Sequence, residues 1–163
     1  MSTNPPPLLV PERIEIVKKI ESKKCVFDLL TNLLIKNQND VTRNEVFDAL
    51  ISREKLGSTC LGKGVAIPRA HLDIPYPRVA LLVIQQGLDI ETVDNKPIKL
   101  FLAIIVPNQQ REEYVEVIKK LNHILTDDEQ IKIFTETNNK EYLSNYFVSL
   151  FDNEINPEIM EDS

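Results

Sequence analysis

Residues 98–106 read Ile-Lys-Leu-Phe-Leu-Ala-Ile-Ile-Val, and residues 79–84 read Val-Ala-Leu-Leu-Val-Ile. Neither run alternates apolar with polar side chains, as a strand with one wet face does. A continuous apolar run of strand length, here closed by Pro107, fits a strand buried on both faces. Two such strands need apolar cover on two sides, so the neighbouring segments are expected to be amphipathic helices and the fold α/β in layers.

The flanking sequence supplies those helices. Ser22 reads as an N-cap, and Val26, Phe27, Leu29, Leu30, Leu33 and Leu34 follow at helical spacing, predicting a helix over 23–37. A second is predicted over 43–53, with Val46, Phe47, Leu50 and Ile51 on its buried face. A third spans 111–125, with Tyr114, Val117, Ile118, Leu121, Ile124 and Leu125 on one side. Asp127 or Asp128 caps another through Phe134, and a last helix covers 140–150. Ile14 to Ile20 is ambiguous, with strand-like alternation in its first half, and 87–96 reads as a turn region. The expected domain is 11–150, between a flexible Pro-rich tail (1–10) and an acidic tail (151–163).

Composition narrows the function classes. A chain of 163 residues, 42% hydrophobic and 27% charged, fits one ordinary globular domain. The net charge of −6 speaks against nucleic acid or an anionic membrane surface as the main partner. The apolar run Leu100–Val106 is far too short to span a bilayer, so no membrane insertion is expected. Cys25 and Cys60 are read as free thiols in a reducing compartment. Two histidines and two cysteines show no metal-ligand spacing, and no metal or cofactor is expected. The polar start, Ser-Thr-Asn-Pro-Pro-Pro, lacks a leader pattern, and a cytoplasmic location is expected.

Chemistry concentrates in residues 53–73, Arg-Glu-Lys-Leu-Gly-Ser-Thr-Cys-Leu-Gly-Lys-Gly-Val-Ala-Ile-Pro-Arg-Ala-His-Leu-Asp. Three of the four glycines (Gly57, Gly62 and Gly64) lie here. A neutral imidazole can attack phosphorus and carry the group as an N-phosphate. Glycine-loop N–H groups and a guanidinium would stabilise the phosphoryl oxygens. His71 has Arg69 two residues away and Arg53 at the loop entrance. If 65–72 is extended, Arg69 and His71 share a face, about 7 Å apart. Two readings of His71 therefore stand: a phosphoryl acceptor, or a partly exposed residue at a strand end. His123 falls off the apolar face of its helix and reads as solvated, as do Glu112, Glu113 and Glu116.

The motifs Arg53-Glu-Lys-Leu-Gly-Ser-Thr and Gly62-Lys-Gly-Val-Ala-Ile-Pro, in register with Ser22-Lys-Lys, Asp94-Asn-Lys-Pro-Ile and Val106-Pro107, carry a resemblance over about residues 10–148. The chain resembles the enzyme IIA domains of the fructose/mannitol class of the bacterial phosphotransferase system, most of all the nitrogen-regulatory branch. That resemblance implies a mixed β-sheet with helices packed on both faces in a single domain. It implies a histidine after Ala-Ile-Pro that accepts phosphate from the phosphocarrier HPr or its nitrogen-branch homologue. This sequence has Arg69 there, and an arginine has no lone pair with which to attack phosphorus. A second, assisting histidine of the family would fall by register near Tyr114. The family's loop arginine and threonine carry over as Arg53 and Thr59, which with Arg69 form the expected phosphate-binding set.

Three functions follow as expectations. The first is a regulator of the nitrogen branch, binding partners such as a transporter or sensor kinase without phosphorylation at the usual site. The second is an active phosphoacceptor using His71. The third is a bare structural or interaction module with no link to phosphate, and the enzyme-class alternative is a sugar-specific IIA component, against which the missing histidine weighs.

Overall fold

A computed structural model describes residues 6–90 and 92–155 of the chain. In chain order the strands are β1 (Ile14–Val17), β2 (Cys60–Gly62), β3 (Val65–Ala66), β4 (Arg69–Leu72), β5 (Arg78–Leu88) and β6 (Ile98–Pro107). The helices are α1 (Lys23–Leu34), α2 (Arg43–Leu56), α3 (Glu113–Ile124), α4 (Asp128–Glu136) and α5 (Lys140–Ile155). The sheet runs β1-β5-β6-β3-β2, with β4 also on β6. β1 is parallel to β5, β5 is antiparallel to β6, and β3 and β4 are both parallel to β6. It is the doubly covered sheet expected from the apolar strands, with the mixed strand directions that the family resemblance implies.

The two long strands divide their side chains between two cores, because successive residues of a strand point to opposite faces. Val79, Leu81 and Val83 of β5 and Leu100, Leu102, Ile104 and Val106 of β6 join Leu121, Phe134 and Phe147 under α3–α5. Ala80, Leu82 and Ile84 with Phe101, Ala103 and Ile105 join Phe27, Leu30, Val46 and Leu50 under α1 and α2. Complete burial of a side chain such as Phe27 contributes about 1.5–3 kcal/mol, so each face anchors its own helical layer.

Local chemistry sets the helix ends. Ser22 accepts from the Cys25 amide and opens α1. Thr42 and Glu45 form a reciprocal capping box on α2. Asp127 accepts from the Glu129 amide and opens α4. α1 stops at Leu34 rather than 37, where Asn37 takes a positive φ of 61°. α2 runs to Leu56, beyond the expected Arg53, so Arg53 belongs to the last helical turn rather than to the loop.

The boundaries expected at 10 and 150 are crossed by packing. Leu9 is 2% exposed in the first core, and the Val79 amide donates to the Leu8 carbonyl at 2.9 Å. Arg13, itself buried, donates to the carbonyls of Val79, Leu8 and Pro7 at 2.9, 3.0 and 3.2 Å. α5 continues to Ile155. The expectations for residues 1–5 and 156–163 lie outside the described residues. No described helix is long and apolar enough to cross a membrane.

Candidate functional site

Arg69 and His71 occupy alternate positions of β4, opposite Ile104 and Val106 of β6. Both of those partners point into the core under α3. Arg69 and His71 therefore share the α3 side of the sheet, as the extended reading of this segment requires. They open into a cleft of about 840 Å³ between α2, β4, β6 and α3. The last turns of α2 bring Ala49, Ser52, Arg53 and Leu56 to it. The α3 side brings Arg111, Tyr114, Val115, Ile118, Lys119 and Asn122.

The cleft is apolar in its walls and cationic in its charged groups. Four cations, Arg53, Arg69, Arg111 and Lys119, line it with His71 and no carboxylate. Burial, and then the neighbouring Arg53, lower the pKa of the Arg69 guanidinium, against a smaller opposing pull from Glu54. The group remains a cation nonetheless. Arg69 Nη1 is buried without a hydrogen-bond partner, and so is Asn122 Oδ1 in the same cleft. Burial and the nearby Glu113 raise the pKa of the half-buried Tyr114 phenol. His71 is exposed, with Nδ1 3.2 Å from Asn108 Oδ1. Leu56 is 84% exposed and Val115 51% exposed at the mouth.

Of the residues expected to act together, Arg53, Arg69 and His71 meet here, and Tyr114 joins them. Thr59 does not. It is buried, its hydroxyl donates to Glu54 Oε1 at 2.7 Å, and its amide donates to Glu54 Oε2 at 3.3 Å. Lys23 completes that network at 2.9 Å from Glu54 Oε2. The glycine loop is also elsewhere. Gly62, Lys63 and Gly64 take φ of 89°, 58° and 78° in succession, turning β2 into β3. The Lys63 amide donates to Asp94 Oδ2 at 2.7 Å, and Lys63 Nζ donates to the Thr126 carbonyl at 2.8 Å. The Gly64 carbonyl accepts from Lys99 and Leu100. The loop thus docks on the turn before β6, and its N–H groups do not reach His71's cleft. His123, exposed on α3, does not line the cleft either.

Sequence reasoning missed Arg111, Lys119 and Asn122 as site residues. Part of the signal was present: 115, 118, 119 and 122 lie at helical spacings of three and four on α3, which Arg111 precedes. What the spacing lacks is the surface that this stripe faces.

The chain matches the family model described as phosphoenolpyruvate-dependent sugar phosphotransferase system, EIIA 2, over residues 7–149. It is 33% identical over 130 residues to a nitrogen regulatory protein homolog of Haemophilus influenzae, covering 77% of this chain and 79% of the relative. It is 31% identical over 119 residues to a nitrogen regulatory protein of Pseudomonas aeruginosa, covering 72% and 77%. The crystal structure of the nitrogen regulatory protein IIA-Ntr from Neisseria meningitidis superposes with a TM-score of 0.77 at 26% identity, over 88% of this chain and 96% of the other. With its mixed sheet, its two helical layers and a match from the first buried leucines to the last helix, the chain belongs to the EIIA 2 family of the phosphoenolpyruvate-dependent sugar phosphotransferase system.

Proposed function

We propose that this protein is a nitrogen-regulatory enzyme IIA-like regulator that controls partner proteins by binding, without being phosphorylated at the family's usual position. One observation carries the reading. The residue after Ala66-Ile67-Pro68 is Arg69, a half-buried guanidinium facing the cleft where the family resemblance places a nucleophilic imidazole. Guanidinium offers no lone pair to phosphorus and keeps a positive charge where a phosphohistidine would carry a negative one. The state it imitates is therefore the unphosphorylated one. Exposed Leu56 and Val115 at the mouth provide apolar contact for a docking partner such as a transporter or sensor kinase.

The second reading, a phosphoacceptor His71, is favoured by one feature: His71 lines the same cleft on the same face as Arg69. Against it stands a displacement of two residues, roughly 7 Å along a strand. A preorganised site tolerates about 0.5 Å. The sugar-specific alternative requires onward transfer of a phosphoryl group, which Arg69 cannot perform.

The test is incubation with phosphoenolpyruvate, enzyme I or its nitrogen-branch homologue, and the phosphocarrier. Intact mass is read at neutral or basic pH because N-phosphates are acid-labile. The expected result is no phosphate-sized gain while a histidine-bearing IIA in the same tube is labelled. A gain that disappears in His71→Ala overturns the binding-only regulator in favour of the relay.

A further inference from the structure

The protein carries six arginines, and they divide into two sets of three. Arg13 is spent on backbone carbonyls, Arg43 on Asp28, and Arg78 on Asp40 and the Leu34 carbonyl. The other three, Arg53, Arg69 and Arg111, all line the cleft, and none has an ion-pair partner among the described residues. Arg53 has a backbone carbonyl, that of Gly57, at 2.9 Å. In a chain of net charge −6 this is a local concentration of positive charge with nothing in the lining to neutralise it. Like charges gathered this way repel one another and raise the free energy of the empty site, so an anion is bound against a favourable field.

Two further observations define the anion. The volume, about 840 Å³, is that of a small-molecule pocket and leaves most of its space to something other than a bare inorganic ion. Its walls, among them Ile104, Val106, Val115 and Ile118, are apolar. The cleft also holds one buried donor and one buried acceptor without partners, Arg69 Nη1 and Asn122 Oδ1. A buried polar atom left unpaired is costly, and a phosphate oxygen would supply the partner that the Arg69 donor lacks, while the Asn122 acceptor needs a donor from elsewhere. Several guanidiniums suit a tetrahedral dianion with three free oxygens better than a planar carboxylate, which one arginine fork satisfies.

We propose that the cleft between α2, β4 and α3 binds a small organic phosphate, its dianionic head on Arg53, Arg69 and Arg111 and its apolar body along Ile104, Val106, Val115 and Ile118. The inference rests on the regulator reading of the same site and deepens it. A cleft that no longer accepts a phosphoryl group covalently takes one reversibly, as part of a ligand, and the ligand's occupancy sets the surface offered to the partner.

The test is calorimetric titration of the full-length chain with phenyl phosphate, inorganic phosphate and phenol. Phenyl phosphate is expected to bind about tenfold or more tightly than inorganic phosphate, and phenol to give no saturable heat. Arg69→Gln and Arg111→Gln are each expected to weaken phenyl phosphate by about tenfold. Ile118→Ser is expected to bring its affinity down toward that of inorganic phosphate, and Lys132→Gln, at an exposed position of α4, to change nothing. Arg111 is exposed, so its variant stays informative if Arg69→Gln fails to fold. No saturable binding of phenyl phosphate overturns the proposal. So do equal affinities for phenyl phosphate and phosphate, or affinities indifferent to both arginine variants. A mass gain at His71 in the phosphorelay experiment would overturn the regulator reading and leave these titrations standing; absent titration heat with no mass gain would do the reverse.

Discussion

The Thr59 hydroxyl donates to Glu54 Oε1 at 2.7 Å, tying the first residues after α2 back to that helix's last turn. Lys23 reaches the other oxygen of the same carboxylate from α1. The three residues hold α1, α2 and the start of β2 together, away from the cleft. Replacing Thr59 by Val keeps the shape and removes the donor to a charged acceptor. The expected cost is about 1.5–3 kcal/mol, read as a lower urea midpoint at unchanged slope. Binding of phenyl phosphate by the cleft is expected to be unaffected.

Asp94 governs the acid sensitivity of the β2–β3 turn. Its carboxylate accepts from the Lys63 amide at 2.7 Å and from the Lys96 amide at 3.3 Å, and the first of these is the main cause holding its pKa below the ordinary carboxylate value. A carboxyl with a depressed folded pKa contributes stability that is complete above its unfolded pKa and is lost as pH falls through the folded value. Urea unfolding of the protein and Asp94→Asn at successive pH values is expected to show a gap at neutral pH that closes in acid. A gap independent of pH would remove Asp94 from this role.

Gly64 and Gly57 make opposite predictions from the same substitution. Gly64 sits at φ 78°, and a Cβ there would meet the Pro97 carbonyl oxygen at 3.0 Å. Gly64→Ala is expected to cost about 1–3 kcal/mol, because it meets both backbone strain and a backbone contact that cannot swing aside. Gly57 has extended backbone at φ 164° and open space around its Cα. Gly57→Ala is expected to be neutral or to stabilise by up to about 1 kcal/mol through the unfolded chain. Thermal unfolding of the two variants separates these outcomes.

Arg78 is the buried cation whose loss of partner is expected to matter most. Its side chain is 6% exposed and pairs with Asp40 in the turn after α1. Asp40→Ala leaves that charge with only the Leu34 carbonyl, at an expected cost of about 3 kcal/mol. Arg78→Met in the same background is expected to recover part of the loss, because it removes the stranded charge. A double-mutant cycle in urea measures the coupling.

Most of the architecture was legible because its long elements repeat one signal many times. β5 and β6 declare themselves through unbroken apolar runs, and the structure shows why: even and odd residues serve different cores. The ambiguous Ile14–Val17 resolves as a strand beside β5, a pairing that four residues cannot specify without the neighbour. β2 and β3 are three and two residues long, too short for any period, and exist because Ala66 and Cys60 find each other and β6. In the site, Arg53, Arg69 and His71 were legible from one contiguous segment. Thr59 lies apart from the cleft because its hydroxyl is claimed by Glu54, five residues away. Gly62 and Gly64 lie apart from it too, their positive φ values serving a hairpin turn. Arg111 and Asn122 stayed hidden because the β4–β6 pairing, which sets α3 opposite Arg69, is not written in either segment alone.

Pro68 divides the β6 edge into two short pairings, β3 against Leu100 and Phe101 and β4 against Ile104 to Pro107. The long strands β5 and β6 are both interior, and the outward edges belong to β1, β2 and β4, of four, three and four residues. An exposed row of unpaired amides and carbonyls recruits foreign strands in proportion to its length and flatness. A chain with two near-continuous aliphatic strands has the raw material for fibrillar aggregation, and among the described residues no edge strand is longer than four residues. The interruption that places Arg69 at the cleft also keeps the sheet edge along β6 in two short pieces, of two and four residues.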